Sequence, residues 1–168
     1  MCQYDCTTGD PMIPKEAMID ARFPDSFREM SLDEIHKTFQ DSYDQRWGMW
    51  DEENHSIIVI QWNKANGLLA KVVGIESVCK DDEKKLSKAM RGNSYVSEGF
   101  FDGAVCGTEF KGFSYRYVLQ DQEQSAQLMV FRNGSLFYKL YYFSRSDLDG
   151  SNRESLKAVM DSMCFVNE

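Results

Sequence analysis

A chain of 168 residues, 42% hydrophobic and 13% aromatic, is long enough to bury about two thirds of its unfolded surface with no metal or disulfide staple. A formal net charge of -8 and a pI near 4.8 repel phosphate backbones and anionic lipid headgroups, so nucleic acid and membrane surfaces are excluded as expected partners. Three prolines and eleven glycines leave no room for a long disordered linker.

Residues 1–15 contain Pro11 and Pro14, show no hydrophobic period and are expected to form a flexible arm, with residues 16–168 making a single α+β domain. An edge strand is expected over Glu16 to Phe23. Ser31-Leu32-Asp33-Glu34 is a capping box, and Leu32, Ile35, His36 and Phe39 share one face of the helix it opens, which should end near Asp41. Arg46 to Asp51 and Ser56 to Asn63 read as a hairpin joined by an acidic loop. Leu68 to Val78 is either a short helix broken at Gly74 or a strand, and Asp82 to Arg91 has helical spacing that Gly92 stops.

Short strands are expected over Tyr95 to Phe101, Val105 to Phe110 and Phe113 to Gln120, with Gly99, Gly103, Gly107 and Gly112 read as turns. Ser125 to Arg132 and Ser135 to Arg145 form the clearest hairpin, because Asn133-Gly134 is a turn signal whose two positions both take positive φ. Ser151-Asn152-Arg153-Glu154 reads as a second capping box, heading a helix with an apolar stripe of Leu156, Val159, Met160 and Met163. Cys164 to Val166 adds a last short strand.

Ile57 to Ile60, Leu128 to Phe131 and most of Leu136 to Phe143 are apolar on both faces and call for cover on both sides. Phe113, Tyr115, Tyr117 and Leu119 alternate with polar residues, which suits a strand nearer an edge. Hairpin-joined strands of this kind imply an α+β fold in which an antiparallel sheet is flanked by helices on both faces, an α/β/α sandwich.

Catalytic chemistry has little to draw on. Five cysteines, an odd number without repeated spacing, argue for reduced thiols and a cytoplasmic location. The N-terminus shows no leader pattern, and no run of about eighteen apolar residues occurs. His36 reads as a packing histidine. His55, with Asp51, Glu52 and Glu53, reads as a solvated loop in preference to a cation site. Cys2 and Cys6 lack the two further ligands of a closed zinc site, and Asp147-Leu148-Asp149-Gly150 lacks most of a calcium loop. No cofactor, metal or catalytic residue is expected. Trp47, Trp50, Trp62, Tyr115 and Tyr117 fall on strands expected to be neighbours; they either fill the core or form a recognition surface, with Trp47, Trp50, Tyr115 and Tyr117 the candidate binding residues.

Three segments carry a family resemblance: FYKLYYFSR (Phe137 to Arg145), NRESLKAVMDSMCF (Asn152 to Phe165) and GFSYRY (Gly112 to Tyr117). With the order of elements from Ala17 to Phe165, they resemble the PsbP-like superfamily, a fold shared by photosystem extrinsic proteins, the yeast Ran-binding release factor, DcrB and chaperones of type VI secretion effectors. The resemblance implies a binding or assembly factor and supplies no catalytic or ligand residue.

The first expectation is therefore a non-enzymatic binding module, of chaperone or adaptor type, for a neutral or basic protein or peptide partner. A small-ligand carrier with an aromatic pocket is the alternative. A hydrolase using carboxylates such as Asp44 or Glu109 ranks last.

Overall fold

The computed structural model describes residues 13–167. Its centre is a seven-stranded, wholly antiparallel sheet with helices on both faces, the α+β sandwich expected from the sequence. The strands in chain order are β2 (Arg28–Glu29), β3 (Arg46–Asp51), β4 (Ser56–Lys64), β5 (Val96–Val105), β6 (Thr108–Leu119), β7 (Gln122–Asn133) and β8 (Leu136–Arg145). Their spatial order is β2-β3-β4-β8-β7-β6-β5, so β8 is the central strand and β5 is one edge. A separate two-stranded ribbon joins β1 (Ile19–Asp20) to β9 (Cys164–Phe165).

Cover comes from helices of different origin. The capping box at Ser31 is present in full, with the Ser31 hydroxyl accepting from the Glu34 amide and the Glu34 carboxylate accepting from the Ser31 amide. It opens α1 (Leu32–Phe39), which lays Ile35 against Val59 and Met30. The ambiguous stretch after β4 is helical, as α2 (Leu69–Val72) and α3 (Ile75–Ala89) separated by Gly74. Cys79 of α3 is buried on Phe113, Tyr115 and Leu128 of β6 and β7. The opposite face is covered by α4 (Asp149–Ser162), whose Leu156 and Val159 pack with the adjacent Met163 on Ile58, Leu140 and Tyr142. The β1/β9 ribbon extends that cover, with Phe165 against the rings of Phe131 and Tyr138.

Several expectations need correction. The arm over residues 1–15 lies outside the described residues up to position 12, whereas Ile13 is buried in the core. The edge strand expected over Glu16 to Phe23 reduces to Ile19–Asp20 in the ribbon, because Lys15–Ala17 forms a 3-10 turn and Met18 takes a left-handed φ of 51°. The three short strands after residue 95 are two long ones, and Val105 to Phe110 contains the turn that joins them. That turn is Cys106-Gly107, both at positive φ. Gly107 alone of the four spaced glycines is a turn residue. Gly103 and Gly112 lie inside strands, where a Cβ would meet the Phe110 ring at 2.7 Å and the Leu128 carbonyl oxygen at 2.9 Å.

The β7–β8 hairpin exists with its turn one residue further along the chain than expected, so that Arg132 pairs with Phe137 and not with Ser135. Asn133 pairs with Leu136, so the turn is Gly134-Ser135, and only Gly134 has positive φ. The expected capping box at Ser151 is absent too. A 3-10 turn at Ser146–Leu148 feeds α4 three residues early, and the Ser151 hydroxyl donates to the Leu148 carbonyl instead.

Candidate binding cleft over the central strand

The two faces of β8 are treated differently. Tyr138, Leu140, Tyr142 and Ser144, under α4, are fully buried, whereas Lys139, Tyr141, Phe143 and Arg145 on the other face are only partly buried. The expected two-sided cover of Leu136 to Phe143 is therefore complete on one side only. The reason is spacing: α1 sits over β3 and β4 while α3 sits over β6 and β7, which leaves a cleft above the strand between them.

At one end the cleft is polar and internally balanced. Lys139 Nζ lies 2.6 Å from Asp82 Oδ2 of α3. The buried Arg46 guanidinium donates to Asp41 and to Gln61 Oε1, and stacks over the rings of Phe39 and Tyr43. Arg46 holds the Asp41 carboxyl below its usual range. Tyr141 donates its hydroxyl to Gln61 Oε1 at 3.3 Å, and burial pushes its ionisation well up, so it stays neutral. Phe39 of α1 leans edge-on against Tyr141 and Phe143 with ring centroids 4.7 and 5.9 Å away, forming one wall.

At the other end the cleft widens into an open cavity of about 290 Å³. Trp50, Ile57 and Phe143 form an apolar floor, and His55, Gln122, Gln124 and Arg145 form a polar rim. The Arg28 guanidinium lies 4.8 Å over the Trp50 ring and is held by Glu34 and Glu52. Arg145 is engaged by Asp147, whose carboxyl it holds below the usual range. The cations described along the cleft, Lys139, Arg46, Arg28 and Arg145, thus all have carboxylate partners. The surface suits an uncharged apolar group better than an anion.

Of the four candidate binding residues, Trp50 alone reaches this cleft. Trp47 points to the opposite face, buried against Phe23, with its indole N–H donating to Glu29. Tyr115 and Tyr117 are buried under α3, where the lack of solvent pushes the Tyr117 hydroxyl up to about 12. Trp62 is buried in the core as well. Trp47, Trp50 and Trp62 do sit on the neighbouring strands β3 and β4, but the expectation fails for Tyr115 and Tyr117, because β8 and β7 intervene between β4 and β6. The sequence does not single out Tyr141 and Phe143, whose strand reads as two-sided core, or Gln122 and Gln124, which precede the strand expected from Ser125; the local trace is the alternation of Lys139 and Arg145 with aromatics.

The carboxylates weighed for hydrolysis are not brought together. Asp44 lies beside His36 Nε2 at 3.0 Å near α1, and Glu109 pairs with Lys111 on the far side of the sheet. Asp51, weighed as a cation ligand, instead accepts from Asn54 and Ser26. Among the described residues no cluster of three metal-ligating side chains occurs. No helix among them is long and apolar enough to cross a membrane.

The sequence matches no family profile and no curated protein. Solved structures are similar in fold. A cyanobacterial PsbP from Synechocystis sp. PCC 6803 superimposes with a TM-score of 0.64 at 11% identity, covering 90% of this chain and 89% of that one. LpqN of Mycobacterium tuberculosis, involved in cell envelope biogenesis, gives 0.62 at 15% identity, covering 95% and 87%. The Saccharomyces cerevisiae Ran-binding protein Mog1p gives 0.55 at 10% identity, covering 89% and 91%. At such low identities these likenesses speak for the fold alone, and the fold of this chain is PsbP-like.

Proposed function

We propose that the protein is a non-enzymatic binding or assembly module, of chaperone or adaptor type, that docks an uncharged apolar segment of a protein partner in the cleft over β8. The observation that carries this reading is the partly buried face of the central strand, where Phe143 and Trp50 line the open cavity and Tyr141 and Phe39 continue the aromatic wall beside it. The charge of -8 favours a neutral or basic partner and disfavours nucleic acid and anionic membrane. Two neighbours in fold support it by analogy, one a Ran-binding protein and one involved in cell envelope biogenesis. A cytoplasmic location accords with the odd cysteine count.

Affinity capture from the source cells tests the proposal, comparing the parent with Trp50→Ala and Phe143→Ala. The expected outcome is a discrete partner held by the parent and weakened by both variants at unchanged melting temperature. Variants that retain every partner of the parent would remove the cleft from consideration.

A second reading, a small-ligand carrier, is favoured by the cavity itself, where two carboxamides face an apolar floor. Uptake of a small aromatic compound, followed by Trp50 fluorescence, would support it over protein docking.

A further inference from the structure

Away from the cleft, among the described residues, β5 ends the sheet with no strand on its outer side. The other edge is β2, only two residues long, whereas β5 runs for ten. A long edge presents unpaired backbone N–H and C=O groups, which stable folds blunt with lysine, proline or a covering element. Val96–Val105 contains no lysine, arginine or proline. Its one irregularity is a bulge between Ser97 and Gly99, beyond which Phe100 to Val105 pair regularly with β6. Nearly all of the strand is exposed, including Phe100 at 55% and Val96 at 47%. Beside it, α3 and the sheet leave a cavity of about 180 Å³ where Cys79, Phe100 and Phe101 supply apolar wall and the charges of Lys80 and Lys111 are met by Glu76 and Asp102.

We infer that the β5 edge is a second interaction surface, which takes up an extended basic peptide segment of a partner as an eighth strand. The backbone row supplies the pairing, and the cavity between α3 and β5 takes an apolar side chain at one of the alternate positions that face it. The charges set the partner's sign. The edge strand's own ionic groups are Glu98 and Asp102, and their cations, Arg116 and Lys111, lie one strand inward. A basic strand laid against the outer side therefore meets carboxylates first. A second copy of this chain is disfavoured by the same charges, because an antiparallel pair centred on Phe100 sets Glu98 of each copy against Asp102 of the other. This surface is independent of the cleft over β8, and either can fail alone.

The test uses a fluorescein-labelled peptide alternating valine and lysine, titrated against the whole protein by fluorescence anisotropy, with amide hydrogen exchange as the second readout. Saturable binding should protect the amides of Val96–Val105. Phe100→Lys, at an exposed position, should keep the melting temperature and weaken binding by at least about tenfold. N-methylation of alternate peptide amides should do the same, whereas Trp50→Ala should leave affinity unchanged and so separates this edge from the cleft. The inference is overturned by no binding at about 1 mM peptide. It is equally overturned by equal binding of an all-lysine peptide, by loss of binding in Trp50→Ala with none in Phe100→Lys, or by a dimer of the protein alone that Phe100→Lys dissociates.

Discussion

Asn152 on the first turn of α4 donates from its carboxamide to the backbone carbonyl of Asn54, 2.8 Å away across 98 positions of sequence. The same Nδ2 group donates to the Ser144 hydroxyl, also at 2.8 Å. One buried side chain thus ties α4, the central strand and the β3–β4 loop together, and that loop carries His55 at the rim of the cleft. Asn152→Ala should cost about 2 kcal/mol, since it strands buried polar groups on both partners. Denaturant unfolding at constant m-value measures it. A loss of a few tenths would mean that water replaces the carboxamide.

The glycines make opposite predictions. Gly112→Ala puts a Cβ 2.9 Å from the Leu128 carbonyl oxygen, a backbone atom that can move only with its strand, and should destabilise by about 2 kcal/mol. Gly150→Ala places its methyl in open space within α4 and should stabilise by about 0.5 kcal/mol. Thermal melts of the two variants should therefore shift in opposite directions.

Val159 is fully buried beneath the sheet, between α4 and the core of β4 and β8. Val159→Asp should cost about 3 kcal/mol or more by placing a carboxylate where no cation or donor is available. Circular dichroism should show an unfolded or strongly destabilised chain at neutral pH. A variant that melts with the parent would mean that α4 does not cover the core in solution.

Alkaline pH should unfold the protein for a definable reason. Burial, with Asp82, Glu76 and Glu83 nearby, pushes the Cys79 thiol from 9.0 up to about 11, and burial pushes Tyr117 from 10.0 to about 12. Both folded-state values are raised, so the neutral forms contribute stability that is complete below pH 9.0 and is lost as pH rises through about 11 and then about 12. Far-UV circular dichroism and tyrosinate absorbance should change together in that interval. Cys79→Ser should remove the earlier part of the loss.

How far each element could be read from the sequence follows the range of the forces that decide it. The capping box at Ser31 closes within four residues, so its helix was legible and is present. The same four-residue pattern at Ser151 is overruled, because a 3-10 turn starts α4 at Asp149 and Asn152 is recruited by a loop far away in sequence. Alternation marked the strand at Phe113 to Leu119, and the apolar run Leu128 to Phe131 marked a strand of the two-sided core. Their turns at Cys106-Gly107 and Gln120-Asp121 take positive φ without the Asn-Gly signature, so the boundaries between strands 95–120 were misplaced.

Sequence by itself determined the α+β class, the antiparallel hairpins, the final helix and its buried stripe, because hydrophobic period and local hydrogen bonds act over a few residues. Only the tertiary structure decided which aromatics meet solvent. Trp47 and Trp50 are three residues apart on one strand and face opposite layers, and Tyr115 and Tyr117 lie four strands away from both beneath α3. Strand order is a non-local choice, set by which faces find cover when the sheet assembles. Among the described residues, the cleft over β8 and the open edge at β5 are what that choice leaves uncovered.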